Sequence, residues 1–205
     1  MNTFISNKKY LVEALGTFTL AVAIGGSLIT SVKVATPVLA GLVLLLFVNT
    51  IGPISGAHIN PGVTIGAWSI GKINKKGAVA YIISQFIGAA LALLTMRLLS
   101  GPLPNITTTG GIGIGIAEMI GMTLFTFGIA SVMYGQTSKN NSGVVIGGSL
   151  VVGIAIAAGL GSNGVLNPAV ALGIGSFGIW YILGPILGGV MGMWLYRACC
   201  QSQEK

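Results

Sequence analysis

Two short stretches of the sequence, GAHINPGVT (56–64) and GVLNPAVAL (164–172), each place an asparagine directly before a proline. An asparagine amide donates hydrogen bonds through its nitrogen and accepts them through its oxygen. Asparagine is a favoured helix N-cap, and proline is a favoured first helical residue. The pattern therefore predicts that Asn60 and Asn167 each begin a helix and present a polar amide at its start.

The composition places these polar stretches in a membrane protein. The 205 residues are 53% hydrophobic and 6% charged, and the mean hydropathy is +0.92. Soluble domains carry about 25% charged residues. The 33 glycines suit helices that approach closely in a bilayer. The apolar run after Lys8 and Lys9 continues to about Ile29, which is too long for a cleavable signal. We therefore expect an integral membrane protein.

The apolar run after each Asn-Pro pair is too short to cross a membrane. The runs GVTIGAWSIG and AVALGIGSFG each span about ten residues, whereas a transmembrane helix needs about 20. At 1.5 Å per residue, each would form a helix of roughly 15 Å. Two such half-helices from opposite faces would add up to the ~30 Å hydrocarbon core, so we expect their starts to meet near the midplane.

The residues before each asparagine, SGAHI and SNGVL, cannot continue a helix, because proline disfavours the α conformation at the preceding position. Unpaired backbone is tolerated at membrane depth only where it is buried in protein or lines a watery cavity. The backbone carbonyls can accept, and the two asparagine amides can donate, hydrogen bonds to a file of small neutral molecules. The two helix starts carry partial positive charge and therefore oppose cations. These strips are therefore candidate pore walls.

Six apolar segments are long enough to span, although the second and fifth are near the lower limit of about 17 residues. They lie at about 10–30, 36–52, 77–99, 112–134, 143–160 and 180–199. The chain is thus predicted to be an all-α membrane protein with six transmembrane helices and two re-entrant half-helices.

The basic residues indicate an orientation. Six spans put both termini on one side, which receives eight of the ten Lys and Arg: Lys8, Lys9, Lys72, Lys75, Lys76, Lys139, Arg197 and Lys205. The other side receives Lys33, Arg97 and a glycosylation sequon at Asn105. The positive-inside rule predicts cytoplasmic termini. Because the cations are spread over separate short loops, they do not indicate a nucleic-acid surface.

The two halves of the chain repeat. Glu13 opens the first half 47 residues before Asn60, and Glu118 opens the second half 49 residues before Asn167. Gln85-x-x-Gly88 and Pro185-x-x-Gly188 also share a place. Each half contains three spans, an odd number, so the second half enters the membrane from the opposite side and the repeat is inverted. We expect one channel domain over 1–205, with repeats at about 8–99 and 112–199.

Nearly the whole chain resembles the aquaporin, or major intrinsic protein, family. The resemblance rests on the two glutamates, SGAHINPGVT, the second NPA and the spans that contain Gln85 and Pro185. The resemblance implies a homotetramer with one pore per subunit for water or small uncharged solutes. It assigns the pore centre to Asn60, Pro61, Gly62, Asn167, Pro168 and Ala169. It assigns the pore-lining carbonyls to Gly56, Ala57, His58, Asn163, Gly164 and Val165.

The sequence departs from the family pattern at the outer filter. The family usually follows its second Asn-Pro-Ala with arginine, but Val170 stands there. Counting from the motifs places the rest of the filter at about Ala40, Ala155 and Gly164, which predicts a small, apolar filter. Leu172 replaces the aspartate that glycerol facilitators carry. The first motif also has Gly62 where the family usually has alanine, a change we expect to loosen packing.

Glu13, Glu118 and His58 have two interpretations each. By resemblance the glutamates anchor the re-entrant loops, and a proton relay is the alternative. His58 could gate with pH or be a satisfied residue of the pore wall.

Cys199 and Cys200 are adjacent, so a disulfide is not expected, and they could be palmitoylated or inert.

The sequence does not indicate an enzyme, a metal site or a cofactor, because three acids, one histidine and two cysteines form no recognisable triad or cluster. A passive channel is favoured. A secondary transporter would also contain inverted repeats and broken helices, but the broken segments offer only His58 for ion coupling. A non-conducting structural protein is the other alternative, which only a flux measurement distinguishes.

The charge bias predicts that the loop PNITTTGG lies outside and GKINKKG inside. In a background without Cys199 and Cys200, Thr108→Cys should react with an impermeant maleimide added externally, and Asn74→Cys should not. The reverse labelling pattern would overturn the orientation.

Overall fold

The computed structural model describes residues 2–30, 33–103 and 111–200, so Asn105, Thr108 and Lys205 lie outside the described residues. All the elements in these ranges are helices. The first repeat contains α1 (Asn2–Ile29), α2 (Thr36–Thr50), the single turn α3 (Gly52–Ser55), the half-helix α4 (Pro61–Ser69) and α5 (Lys75–Ser100). The second contains α6 (Ile112–Met133), a 3-10 turn (Lys139–Asn141), α7 (Ser142–Gly159), the half-helix α8 (Pro168–Gly173) and α9 (Trp180–Cys200).

Five helices in the described ranges are long and apolar enough to cross a membrane: α1, α5, α6, α7 together with its 3-10 turn, and α9. The second predicted span, α2, is a shorter apolar helix of 15 residues, about 22 Å long. Only Ile51 separates it from α3, so helical structure nearly continues to Ser55. Large apolar side chains such as Leu91, Leu94 and Leu98 remain exposed on α5, as expected for helices that face lipid.

The long helices pack both within each repeat and across the boundary between the repeats. Helix α1 packs on α5 and α6 packs on α9, while α2 of one repeat contacts α7 of the other. The half-helix α4 lies against α9 of the second repeat, and α8 lies against α5 of the first. Each half-helix is therefore held between its own repeat and the other one.

The half-helices differ in length. Helix α4 has nine residues, close to the predicted ten, whereas α8 has only six. Each ends in a Schellman motif around a glycine of positive φ, Gly71 (78°) and Gly175 (73°). The matching bonds run from Lys72 N to Ala67 O (2.9 Å) and from Ser176 N to Ala171 O (2.8 Å). Gly175 stops α8 early, so the two half-helices together measure roughly 23 Å rather than 30 Å.

The expectation that Gly62 loosens packing is wrong. A Cβ at Gly62 would lie 2.8 Å from the Pro185 carbonyl oxygen and 2.9 Å from Met122 Cε. One turn along α4, a Cβ at Gly66 would lie 2.5 Å from the Gly189 carbonyl oxygen. Helices α4 and α9 therefore approach backbone to backbone, and the missing methyl group at Gly62 allows the contact.

Replacing Gly62 by alanine, the residue usual in the family motif, should thus destabilise this protein by about 1–3 kcal/mol through overpacking. Gly148→Ala is the matched control, because its Cβ would meet nothing within 4 Å and alanine favours a helix by up to about 1 kcal/mol. Thermal unfolding in detergent measures both. A Gly62→Ala protein as stable as the wild type would disprove the close contact.

Candidate functional site

Both asparagines cap their half-helices as predicted from the Asn-Pro pattern. Asn60 Oδ1 accepts a hydrogen bond from the Gly62 amide at 2.8 Å. Asn167 Oδ1 accepts from the amides of Ala169 and Val170 at 3.0 and 3.2 Å. The caps use the oxygen of each side chain and leave the amide nitrogen to point elsewhere.

The amide nitrogens join the two repeats. Asn60 Nδ2 donates to the Leu166 carbonyl at 2.8 Å, and Asn167 Nδ2 donates to the Ile59 carbonyl at 3.0 Å. Each asparagine thus binds the residue that precedes the other asparagine, which brings the two half-helix starts together. An amide nitrogen carries two hydrogens, so each asparagine keeps one further hydrogen for another acceptor.

The residues that receive these bonds have unusual backbone. Ile59 and Leu166 adopt φ of 39° and 51°, and both are buried. Positive φ is rare outside glycine and is an outlier for a β-branched residue, and such conformations cost of the order of 1–3 kcal/mol each. The conformation turns each carbonyl toward the opposite asparagine while the N–H points back into the protein.

Two buried carboxylates accept those N–H groups. Glu13 accepts from the amides of His58 and Ile59 at 2.9 and 2.6 Å, and from the Ser55 hydroxyl at 2.7 Å. The second repeat reproduces this arrangement. Glu118 accepts from the amides of Val165 and Leu166 at 2.9 and 2.6 Å, and from the Ser162 hydroxyl. A carboxylate is an acceptor with about four lone-pair sites, so it can hold an entire loop.

The first repeat has an additional polar cluster. Gln85 Nε2 donates to Glu13 Oε2 at 2.9 Å and to Thr64 Oγ1 at 3.0 Å. His58 Nδ1 lies 3.2 Å from the same hydroxyl, and its ring meets Tyr81 edge-on at 5.3 Å. In the second repeat, Pro185 stands where Gln85 does. The two loops are therefore anchored alike but are not chemically equivalent.

A narrow cavity passes the two asparagines. Its volume is about 10 Å³, close to the smallest space that holds one water molecule. Its polar side chains are Asn60, Asn167 and His58. The remaining wall is apolar and includes Leu20, Leu44, Phe125, Leu150, Ile154 and Val170. Leu20 and Phe125 each lie seven residues after the glutamate of their repeat, so the repeats contribute matching residues to this wall.

A larger vestibule of about 230 Å³ adjoins this constriction. The two cavities share Ile24, Ala40, Ile154, Val165 and Val170. Of the side chains that line the vestibule, only Thr36 and Asn163 are polar. Among the residues that the structure describes, no group of three His, Cys, Asp or Glu side chains could hold a metal ion.

The structure places Ile154, and not Ala155, between the vestibule and the constriction. Ile154 is buried and lines both cavities, whereas Ala155 is exposed. Leu150, Ile154 and Ala158 share one face of α7 at a spacing of four residues, and Ala155 points about 100° away. Ala40, Gly164 and Val170 do line the vestibule. The side chains shared by the two cavities are therefore apolar, and Ile154 leaves less space there than an alanine would.

Only some of the residues predicted to line the pore before each asparagine line these two cavities. His58 lines the constriction, Asn163 and Gly164 line the vestibule, and Val165 lines both. Gly56 adopts φ of 88° and Ala57 φ of 49°, and Ala57 is buried. A permeant contact with the carbonyls of these residues stays a prediction.

Comparison with known proteins identifies a family and several relatives that match most of this chain. The model of the family "Major intrinsic protein" matches residues 1–196. The chain is 32% identical to "Aquaporin NIP1-1" of Arabidopsis thaliana, over 93% of this chain and 73% of that protein. It is 33% identical to "Nodulin-26" of Glycine max, over 93% and 77%. It is 28% identical to "Aquaporin AqpM" of Methanothermobacter marburgensis, over 93% and 96%.

The carboxylate anchors can be tested without a transport assay. In Glu13→Gln, the new NH₂ group must face either the His58 or the Ile59 amide, so one buried donor loses its acceptor. The expected loss of stability is about 1–3 kcal/mol, measured by thermal unfolding in detergent. Thr19→Val is the control, because it removes one exposed bond from Thr19 to the Leu15 carbonyl on the same helix. Equal, small effects of both changes would contradict the anchoring role.

Proposed function

Because the chain belongs to the major intrinsic protein family, it is a membrane channel for water or small solutes and not an enzyme, and we propose that its permeants pass between Asn60 and Asn167. The observation that carries this proposal is the pair of asparagine amides, each with one N–H left beside the central cavity. A passing molecule can exchange hydrogen bonds with these amides and with the carbonyls of the two loops.

The permeants that fit this path are small and uncharged. Val170 takes the place of a fixed positive charge, so the outer filter offers neither a cation nor a guanidinium donor. The start of α4 places partial positive charge at the centre, which opposes cations. The central asparagines supply the polar contacts. We therefore propose that small neutral solutes pass along with water.

The constriction sets the balance between these permeants. Leu44, Leu150, Ile154 and Val170 surround a space close to the size of one water molecule. Apolar constrictions can gate conduction by dewetting. Water flux should accordingly be low, and small motions of these side chains should control it.

A coupled transporter is less well supported than a passive channel. Glu13 and Glu118 are occupied by backbone and hydroxyl donors of the loops. His58 is the ionisable side chain that lines the constriction. Uphill uptake driven by an ion gradient would favour a transporter, and a lack of any flux would favour a structural protein.

The family resemblance supports a tetrameric assembly, and the charge distribution supports an orientation in the membrane. We propose a homotetramer with one pore per subunit and one membrane domain per chain, containing the two inverted repeats. The excess of basic residues on the side of Lys72 and Arg197 supports cytoplasmic termini.

Permeability ratios test the filter. Ile154→Ala should raise urea or glycerol flux relative to water roughly fivefold, the change expected when about 1 kcal/mol of steric barrier is removed. Val170→Arg should lower the same ratio, because the guanidinium fills the mouth. Val152→Ala, an exposed position on α7, is the control for Ile154→Ala and should leave the ratio unchanged.

The measurement is stopped-flow volume change in proteoliposomes with matched protein content. A wild-type protein that passes water and excludes every solute, with no change in Ile154→Ala, would show that another side chain determines selectivity.

A further inference from the structure

A basic pocket lies at the end of the half-helix α4 and shares no lining residue with the central cavity or the vestibule. It has a volume of about 250 Å³ and an almost wholly polar wall, formed by Ile70, Gly71, Lys72, Tyr134 and Arg197. These residues come from the ends of α4, α6 and α9. Two cationic side chains from distant parts of the chain thus share one pocket.

Both cations are held in place. The Schellman motif of α4 fixes the backbone of Lys72, and Lys72 Nζ lies 4.5 Å from the centre of the Tyr134 ring. Tyr134 in turn stacks on the buried Tyr196 at 5.9 Å, with only 14° between the rings. Arg197 Cζ lies 4.9 Å from the centre of the Trp194 ring. Cation–π contacts orient these groups but do not neutralise their charge.

No carboxylate within the described ranges balances these charges. The acids there are Glu13 and Glu118, both fully buried and bound to the re-entrant loops. The remaining acid, Glu204, lies outside the described residues. An anion from outside the protein would therefore complete the pocket.

The inverted repeat supplies an internal comparison. The position equivalent to Arg197 is Arg97, which lines an open pocket with Gly101, Pro102 and Leu103 on the opposite face. The position equivalent to Lys72, directly after the Schellman glycine, is Ser176, which is uncharged and buried. The paired cations are therefore a feature of one face of the molecule and not a by-product of the repeat.

We propose that this pocket binds the phosphate group of an anionic phospholipid. Arginine and lysine recognise phosphate oxygens through charged hydrogen bonds, and basic pockets between transmembrane helices bind anionic headgroups. On α9, the exposed side chains of Leu187 and Trp194 lie within about 80° of the helix face that carries Arg197, so acyl chains have an apolar surface beside the headgroup. Tryptophan is typical of this level of the bilayer. The proposal does not depend on what the pore conducts.

Native mass spectrometry of the full chain in neutral detergent tests the proposal. Dioleoylphosphatidylglycerol should bind more tightly than dioleoylphosphatidylcholine, which has the same acyl chains and a neutral headgroup. Lys72→Gln and Arg197→Gln should each weaken the phosphatidylglycerol complex about fivefold, and Lys72→Arg should retain it. Arg97→Gln and Lys139→Gln remove one cation elsewhere and should change affinity less than twofold.

Three results would overturn the proposal. Equal binding of the two lipids would exclude headgroup recognition, and an equal effect of Arg97→Gln would reduce the site to general charge attraction. Displacement of phosphatidylglycerol by inorganic phosphate or glycerol 3-phosphate at equal concentration would show that the ligand is a soluble phosphate. Thermal unfolding of each variant separates loss of binding from loss of the fold, and Arg197→Gln keeps the proposal falsifiable if Lys72→Gln unfolds.

Discussion

The structure depends on satisfying the backbone of two non-helical loops at the centre of a membrane protein. Water cannot satisfy these groups in the hydrocarbon core, where each unsatisfied group costs several kcal/mol. Glu13 and Glu118 take the N–H groups that precede the asparagines, and the asparagines take the carbonyls of the opposite loop. The same bonds hold Ile59 and Leu166 at positive φ. The half-helices meet because each loop is completed by the other.

This reciprocal arrangement explains the close packing around it. The half-helix α4 must lie deep enough for Asn60 to reach Leu166, which brings Gly62 and Gly66 against the backbone of α9. The apolar side chains of the long helices then surround the asparagines and leave a narrow cavity. Val170 and Ile154 lie where this cavity meets the vestibule, so polar side chains lie beside the asparagines and almost none lie at that end. We therefore expect this cavity to select permeants by their size and by the cost of removing their hydration water.

The features predicted correctly from sequence are local or repeated ones. Asn60 and Asn167 cap helices because the Asn-Pro pair acts within a few residues, and the family emerges from motifs in both halves. The sequence pattern does not predict the bonds between the loops, because they join residues 106 and 108 positions apart. Counting back from the second motif points to Ala155 and not to Ile154, because it does not fix the rotation of the preceding helix, where one residue turns the side chain by about 100°. The packing role of Gly62 cannot be predicted from its own motif, because its carbonyl neighbour, Pro185, comes from the other repeat.

The central claim, that both asparagines face the permeation path and join the two loops, is tested most directly by cation leak in proteoliposomes containing Asn60→Asp or Asn167→Asp. Aspartate cannot donate to the opposite carbonyl and adds a negative charge at the centre, so both variants should leak cations and pass less neutral solute than the wild type. Asn140→Asp, an exposed position in the 3-10 turn before α7, makes the same chemical change elsewhere and should match the wild type. Unchanged leak and unchanged solute flux in both central variants would remove the asparagines from the path and contradict the account.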